Sequence, residues 1–470
     1  MDLQTIFQNP GAVPVSLPVR SHPEWRGRRL AEILQEPDGP AFLEYLANGG
    51  QAPFALKLAA ALLVAQERGW LAAPASKPKP AAKPKSVQDG SLPFAKAWAL
   101  ARAFTGKRYS LPILEQILVR GGSDGTRYLT ATNLEVRIDI RTSGDATGKA
   151  FILACKQDCL SSPTDIVPDP DDNRYAISKD SDGRVYRVAV MPNVSSVEFA
   201  MLGNQPCGRM VLGSVEAASL SEALKTVGPV AANDNYQEVL QHVLVRIRNG
   251  AIILVAADGY RLIASSPIPV EGWEGMEEDL LVHRDSVAPI VKALEALGGK
   301  PRLAIIRSVV QTWDKKSQHI QYIQFQWPHA RVTVRLFTDR PFPQYENLIA
   351  PALRAHIGDL DWGQVMSLIR SARPKKGYDA KVRFRVESGT VTLAALRATD
   401  NGPVITEPVK VGQAHVEGEG NIWFNPALFV DLGATVEMRG TEDWEQGLGP
   451  TAFISTKYTF VLMPMAVEQR

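Results

Sequence analysis

Between Val243 and Ile268 the side chains alternate in two runs, Val243-Leu244-Val245-Arg246-Ile247 and Ile252-Ile253-Leu254-Val255-Ala256, joined by Asn249-Gly250. Both linking residues tolerate the positive φ of a type I′ turn, so the pattern predicts a β-hairpin. Asp258-Gly259 marks a second turn, and Arg261–Ser265 continues as a third strand. The stretch therefore reads as a meander, not as a nucleotide-binding turn.

The same pattern occurs twice more. Ile117–Arg120, a turn at Gly121-Gly122-Ser123-Asp124-Gly125 and Tyr128–Glu135 form one copy; Val382–Val386, Ser388-Gly389 and Thr390–Ala394 form the other. An amphipathic helix is predicted before each hairpin, over Phe94–Phe104, Leu220–Val227 and Trp362–Arg370. A second helix is predicted after each, around Lys156–Leu160, over Arg284–Leu297 and over Pro426–Leu432. The copies recur every 125 to 140 residues or so, roughly a domain's length rather than a solenoid's period. The expected class is α+β, with one unit used three times.

Residues 1–71 follow a different pattern. Met1–Pro23 is rich in proline and small residues and reads as extended, Trp25–Leu34 and Ala41–Leu46 as short helices, and Pro53–Gly69 as a longer core helix of a small all-α module. Ala72–Ser86 alternates Pro, Ala and Lys, the composition of a solvated, semi-extended tether, and a linker is drawn over 72–90.

Composition adds limits. With 470 residues, 45% apolar and 22% charged, the chain can form several cores. No run reaches the roughly 18 apolar residues of a membrane span, so no membrane partner is expected. Three cysteines and the absence of a signal-peptide layout at the start fit a reducing, cytoplasmic setting. A net charge of +2 says little about partners, because a DNA-binding surface needs local charge.

Chemistry-bearing patterns are scarce: no G-x-x-x-x-G-K or G-x-G-x-x-G occurs, and the one G-x-S-x-G match, Gly121-Gly122-Ser123-Asp124-Gly125, is the turn between two predicted strands and not the strand-to-helix elbow a nucleophilic serine needs. Cys155 and Cys159 have no second pair or nearby histidine to complete a zinc set, and the seven histidines show no H-x-x-x-H or H-E-x-x-H spacing. Asp169-Pro170-Asp171-Asp172-Asn173 has Arg174 where a calcium loop needs glycine, and reads as a solvated loop. No enzyme activity, cofactor or metal is expected.

From about Ser91 to Arg470 the chain resembles the bacterial sliding clamp, the β subunit of DNA polymerase III. The motifs are Leu111-Pro112-Ile113-Leu114 with Thr130-Ala131-Thr132-Asn133-Leu134-Glu135, then Ala257-Asp258-Gly259-Tyr260-Arg261-Leu262 with Phe342-Pro343-Gln344-Tyr345, and finally Val461-Leu462-Met463-Pro464-Met465. The resemblance implies three tandem clamp domains, 91–207, 208–344 and 345–470, with helices lining a hole and sheets outside. Two copies would close head to tail around duplex DNA, held by sequence-independent phosphate contacts. Inward cations would be Lys96, Arg102, Lys107, Arg108, Lys225, Lys292, Arg370, Arg373, Lys375 and Lys376. Polymerase and clamp-loader peptides would dock in a cleft of Gly259, Tyr260, Arg261, Leu262, Pro343, Leu348, Asn425, Leu428, Val461, Met463, Pro464 and Met465.

The chain also departs from the family. Ala257 and Tyr260 replace the usual Thr and His, Ala466–Arg470 extends the tail, Trp313–Gln326 lengthens the second domain, and Arg373-Pro374-Lys375-Lys376 places charge near the usual dimer seam. The alternative reading is a clamp-fold paralogue of phage or plasmid type that binds clamp partners without being the replicative clamp.

Overall fold

At the Val243–Ile268 meander, Asn249 and Gly250 have φ of 49° and 73°, the left-handed pair that a type I′ turn requires. The strands on either side pair in tight register, Ala251 with Arg248 and Ile252 with Ile247. Ser388 and Gly389 repeat this geometry at 50° and 72°, between Glu387 and Thr390. The first hairpin pairs Gly121 with Arg127.

The computed structural model describes residues 91–106, 112–121, 126–142, 151–154, 160, 163–172, 174–190, 208–234, 237–311, 317–372, 380–399 and 402–465. The expected N-terminal helices and tether lie outside these residues. So do all but Leu160 of the segment expected to be helical around Lys156–Leu160, and the Cys155–Cys159 pair.

The described part begins with helix α1 (Phe94–Ala101), extended by a 3-10 turn over Arg102–Phe104, and strands β1 (Gln116–Gly121), β2 (Arg127–Thr132), β3 (Val136–Thr142) and β4 (Phe151–Ala154). Strands β5 (Pro163–Pro168), β6 (Tyr175–Asp180) and β7 (Val185–Ala189) form a separate three-stranded antiparallel sheet. Next come β8 (Gly208–Val215), α2 (Ala217–Val227), β9 (His242–Arg248), β10 (Ala251–Ala257), β11 (Arg261–Ser265), β12 (Ile268–Glu271), β13 (Glu278–His283), α3 (Arg284–Leu297), β14 (Arg302–Gln311), β15 (Ser317–Gln326) and β16 (Ala330–Phe337). The chain continues through α4 (Glu346–Ala352), β17 (Ala355–Asp361), α5 (Trp362–Ala372), β18 (Ala380–Glu387), β19 (Thr390–Thr399), β20 (Gly402–Ile405), β21 (Val409–Ala414), β22 (Gly420–Phe424), β23 (Thr435–Gly440), β24 (Thr451–Ile454) and β25 (Tyr458–Leu462).

Two pairings link strands far apart in sequence. β3 meets β16, with Ile138 opposite Val332, and β11 meets β25, with Leu262 opposite Val461. Both are antiparallel, as are the other paired strands. At the first junction Asp139 accepts from Arg137 Nη2 at 2.8 Å and Thr130 Oγ1 at 2.7 Å, and Arg331 stands 3.6 Å away. Burial opposes ionisation of Asp139, but the two arginines and the hydroxyl outweigh it and hold its carboxyl below the usual range.

α2 buries Leu220, Leu224 and Val227, and α3 buries Val287, Ile290, Val291 and Leu294, the i, i+3, i+4, i+7 spacing of a one-sided apolar stripe. The His283 side chain accepts from the Asp285 N–H at the start of α3, and Gly298 (φ 58°) ends it.

Pro426–Leu432 is not a helix. Asn425 caps a single 3-10 turn over Pro426–Leu428 and the chain then extends at Phe429. The cause is packing, because Phe429 lies 5.9 Å from Trp362, 5.8 Å from Phe424 and 5.7 Å from Phe453, ring centre to ring centre. A continuing helix would carry this buried ring away from the cluster. A further difference falls in the expected strand Tyr128–Glu135: it stops at Thr132, and the chain turns at Leu134 (φ 77°) while the Asn133 side chain accepts from the Glu135 and Val136 N–H groups. Among the described residues no helix is long and apolar enough to cross a membrane.

Candidate functional site

The turn between β10 and β11 is built by Asp258, whose carboxylate accepts from the N–H groups of Tyr260 and Arg261, each at 3.1 Å, and from Arg261 Nε at 2.8 Å. Gly259 supplies the φ of 87° that the turn requires. The fixed guanidinium then reaches across to donate to the Leu428 carbonyl at 2.8 Å. Asn425 positions that carbonyl by accepting from the Ala427 N–H at 2.9 Å.

The end of β25 closes the other side. Arg261 stands opposite Leu462, Met463 N–H donates to the Tyr260 carbonyl at 2.9 Å, and Met465 N–H donates to the Trp423 carbonyl at 2.8 Å. Leu262 and Val461 are buried in one apolar cluster with Tyr345 and Ala352, against which Phe342 and Ile349 pack. Pro343 and Leu348 belong to the segment carrying Tyr345 and Ala352, and both are exposed. The structure thus gathers Gly259, Tyr260, Arg261, Leu262, Asn425, Leu428, Val461, Met463 and Met465 directly, with Pro464 between the two methionines. Pro343 and Leu348 are linked to these only through their neighbours Tyr345 and Ala352 in the chain. The exposed apolar side chains include Tyr260 (65%), Leu348 (50%) and Met463 (40%). These are large side chains held in water by a rigid frame.

The predicted cations are less uniform. A groove of about 1100 Å³ runs between α1, α2 and α3 and is lined by Arg102, Lys225, Arg284 and Lys292, with Glu295 and Asp285 also on its wall. Arg102, Lys225 and Lys292 were expected from sequence. Arg284 was not, although as the first residue of an anticipated helix it was available to the same argument. Lys225 is ion-paired with Glu295. Lys96 is exposed on α1, and Arg370 on α5 pairs with Asp431 at 2.9 Å; neither lines this groove. Lys107, Arg108, Arg373, Lys375 and Lys376 lie outside the described residues.

The acidic run at Asp169–Asp172 is engaged with arginines. Arg187 Nε lies 2.6 Å from Asp169, and Arg174 Nη2 lies 2.8 Å from Asp172, whose carboxyl its bonds to Arg174 hold at about 2.

No family model matches the chain. Solved structures do resemble it. A DNA polymerase III β subunit from Thermotoga maritima is 18% identical, covers 79% of this chain and 97% of its own, and aligns with a TM-score of 0.64. The β subunit from Pseudomonas aeruginosa is 17% identical, with 80% and 98% covered and a TM-score of 0.63. The Caulobacter crescentus protein is 20% identical, with 80% and 98% covered and a TM-score of 0.62. With nearly the whole of each of these proteins superposed, the chain has the sliding-clamp fold.

Proposed function

We propose that this chain is a non-enzymatic DNA sliding clamp of the cytoplasm. In this reading it is built of three clamp domains (91–207, 208–344 and 345–470), closes with a second copy around duplex DNA, and receives polymerase and clamp-loader peptides in the β11–β25 cleft. The β3–β16 and β11–β25 pairings fall where these domains would join. The observation that carries the reading is the pairing, within one clamp fold, of a basic groove along α1–α3 with a separate exposed apolar rim of Tyr260, Leu348 and Met463. Cations on helix faces suit contacts to phosphate that hold without fixing register. Flexible methionines suit a cleft that accepts different apolar anchors. For self-association, β20 pairs with β19 and carries exposed Val404 and Ile405, while β7 at the edge of the small sheet exposes Val185.

The test is topological. Loaded onto a nicked circular plasmid, the protein is expected to co-elute with the DNA and to be released when the plasmid is linearised. Equal retention on circular and linear DNA, or on neither, contradicts the proposal.

One observation favours a second reading, a clamp-fold paralogue that engages clamp partners without encircling DNA. On the helices two of the expected inward cations are already matched by acids, Lys225 with Glu295 and Arg370 with Asp431. Peptide binding without topological retention is its signature.

A further inference from the structure

Histidines scattered in the sequence meet on the outer surface of the β17–β21 pair. Residues three apart on a regular strand point to opposite faces. Between His356 and Gly358, however, β17 carries a bulge: His356 pairs with Arg439 and Gly358 with Met438, leaving Ile357 as the extra residue. Ile357 turns into the core, and His356 and Asp359 therefore share the solvent face.

The third member comes from the end of β21. Two glycines permit the close approach: a Cβ on Gly358 would stand 2.2 Å from the Gln413 carbonyl oxygen, and one on Gly412 would stand 2.1 Å from that of Asp359. The His415 N–H then donates to the Ile357 carbonyl at 2.9 Å and sets the imidazole beside the carboxylate. His356 Nε2 lies 3.2 Å from Asp359 Oδ1, and His415 Nε2 lies 2.8 Å from Oδ2.

We propose that His356, Asp359 and His415 form a binding site for a zinc-class divalent cation. The three candidate ligand atoms lie within 4.8 Å of one another. Tetrahedral zinc with bonds of about 2.0–2.1 Å requires ligand atoms about 3.3 Å apart, which the 3.2 Å between His356 Nε2 and Asp359 Oδ1 already matches; His415 Nε2, 2.8 Å from the other carboxylate oxygen, would draw back as the ion takes the place of its hydrogen bond. Two imidazoles and one carboxylate suit zinc, cobalt or nickel, and not magnesium or calcium, which prefer oxygen. The ligands are partly exposed, which leaves a fourth position for water. Such an ion would strap β17 to the chain leaving β21.

The test uses untagged, full-length protein stripped with a chelator and titrated with Zn²⁺ by calorimetry. One equivalent is expected that His415→Ala and His356→Gln each weaken by at least roughly tenfold, judged against the losses that follow mutation around metal ligands. Co²⁺ should give four-coordinate visible bands lost in the same variants, and zinc should raise the Tm of the wild type only. Circular dichroism establishes that the variants fold. Zinc uptake that is absent in the wild type at 100-fold excess over protein, or unchanged in both variants, overturns the site and leaves a hydrogen-bonded His-Asp-His cluster.

Discussion

Truncating Met463 to alanine perturbs the proposed cleft at one of its exposed apolar side chains. The side chain is 40% exposed, about 65 Å² of a side chain of about 160 Å². If a docked peptide covers it, that surface is worth about 1.6 kcal/mol at about 25 cal/mol per Å². Allowing for the Cβ that alanine keeps, the loss is about 1.4 kcal/mol, or about tenfold in Kd. Folding should change by less than about 1 kcal/mol, because Met463 is held by its backbone bond to Tyr260, which the substitution leaves in place. Met276 supplies the control. It is similarly exposed (37%) but lies near Trp273, which stands over Gly250 at the far end of the β9–β10 hairpin. Fluorescence anisotropy with a labelled clamp-binding peptide should show about tenfold weaker binding for Met463→Ala, none measurable for Met463→Ala with Met465→Ala, and no change for Met276→Ala. Unaltered affinity in the double variant would refute the assignment of the cleft.

Other perturbations probe the frame and the basic groove. Asp139→Asn removes the carboxylate beside the buried Arg137 and should destabilise by about 3 kcal/mol in urea melts. Because the folded-state pKa of Asp139 is depressed, its stabilisation is full above about pH 4 and is lost as pH falls through the folded value, so the variant should show a shallower acid transition than the wild type. Phe429→Ala, which empties the centre of the Trp362–Phe384–Phe424–Phe453 cluster, should cost about 3–5 kcal/mol by the same assay. Lys225→Glu with Lys292→Glu should weaken binding to duplex DNA and lower the slope of log K against log salt by about 2; an unchanged slope would place the DNA elsewhere.

The hairpins were legible because their signal is local: Asn249-Gly250 and Ser388-Gly389 need only their own backbone angles. The helix stripes of α2 and α3 were legible for the same reason, since Leu220, Leu224 and Val227 carry the helical period within two turns of chain. Pro426–Leu432 failed because a buried ring 67 residues from Trp362 (429 − 362) decides its backbone, not its own propensity. The proposed cleft residues were named through motif resemblance, and what the motifs omit is the reach of Arg261 to the Leu428 carbonyl, which only the folded chain shows. The trio of His356, Asp359 and His415 was invisible to spacing rules because a strand bulge and a pairing 56 residues distant create it.

The account rests on one unit used three times to curve its helices toward nucleic acid. Class-averaged electron micrographs of the full-length protein test this most directly. The account predicts a closed annulus of six segments with a central hole wide enough for duplex DNA. Averages showing only single crescents of the chain at micromolar concentration, with or without DNA, would contradict it.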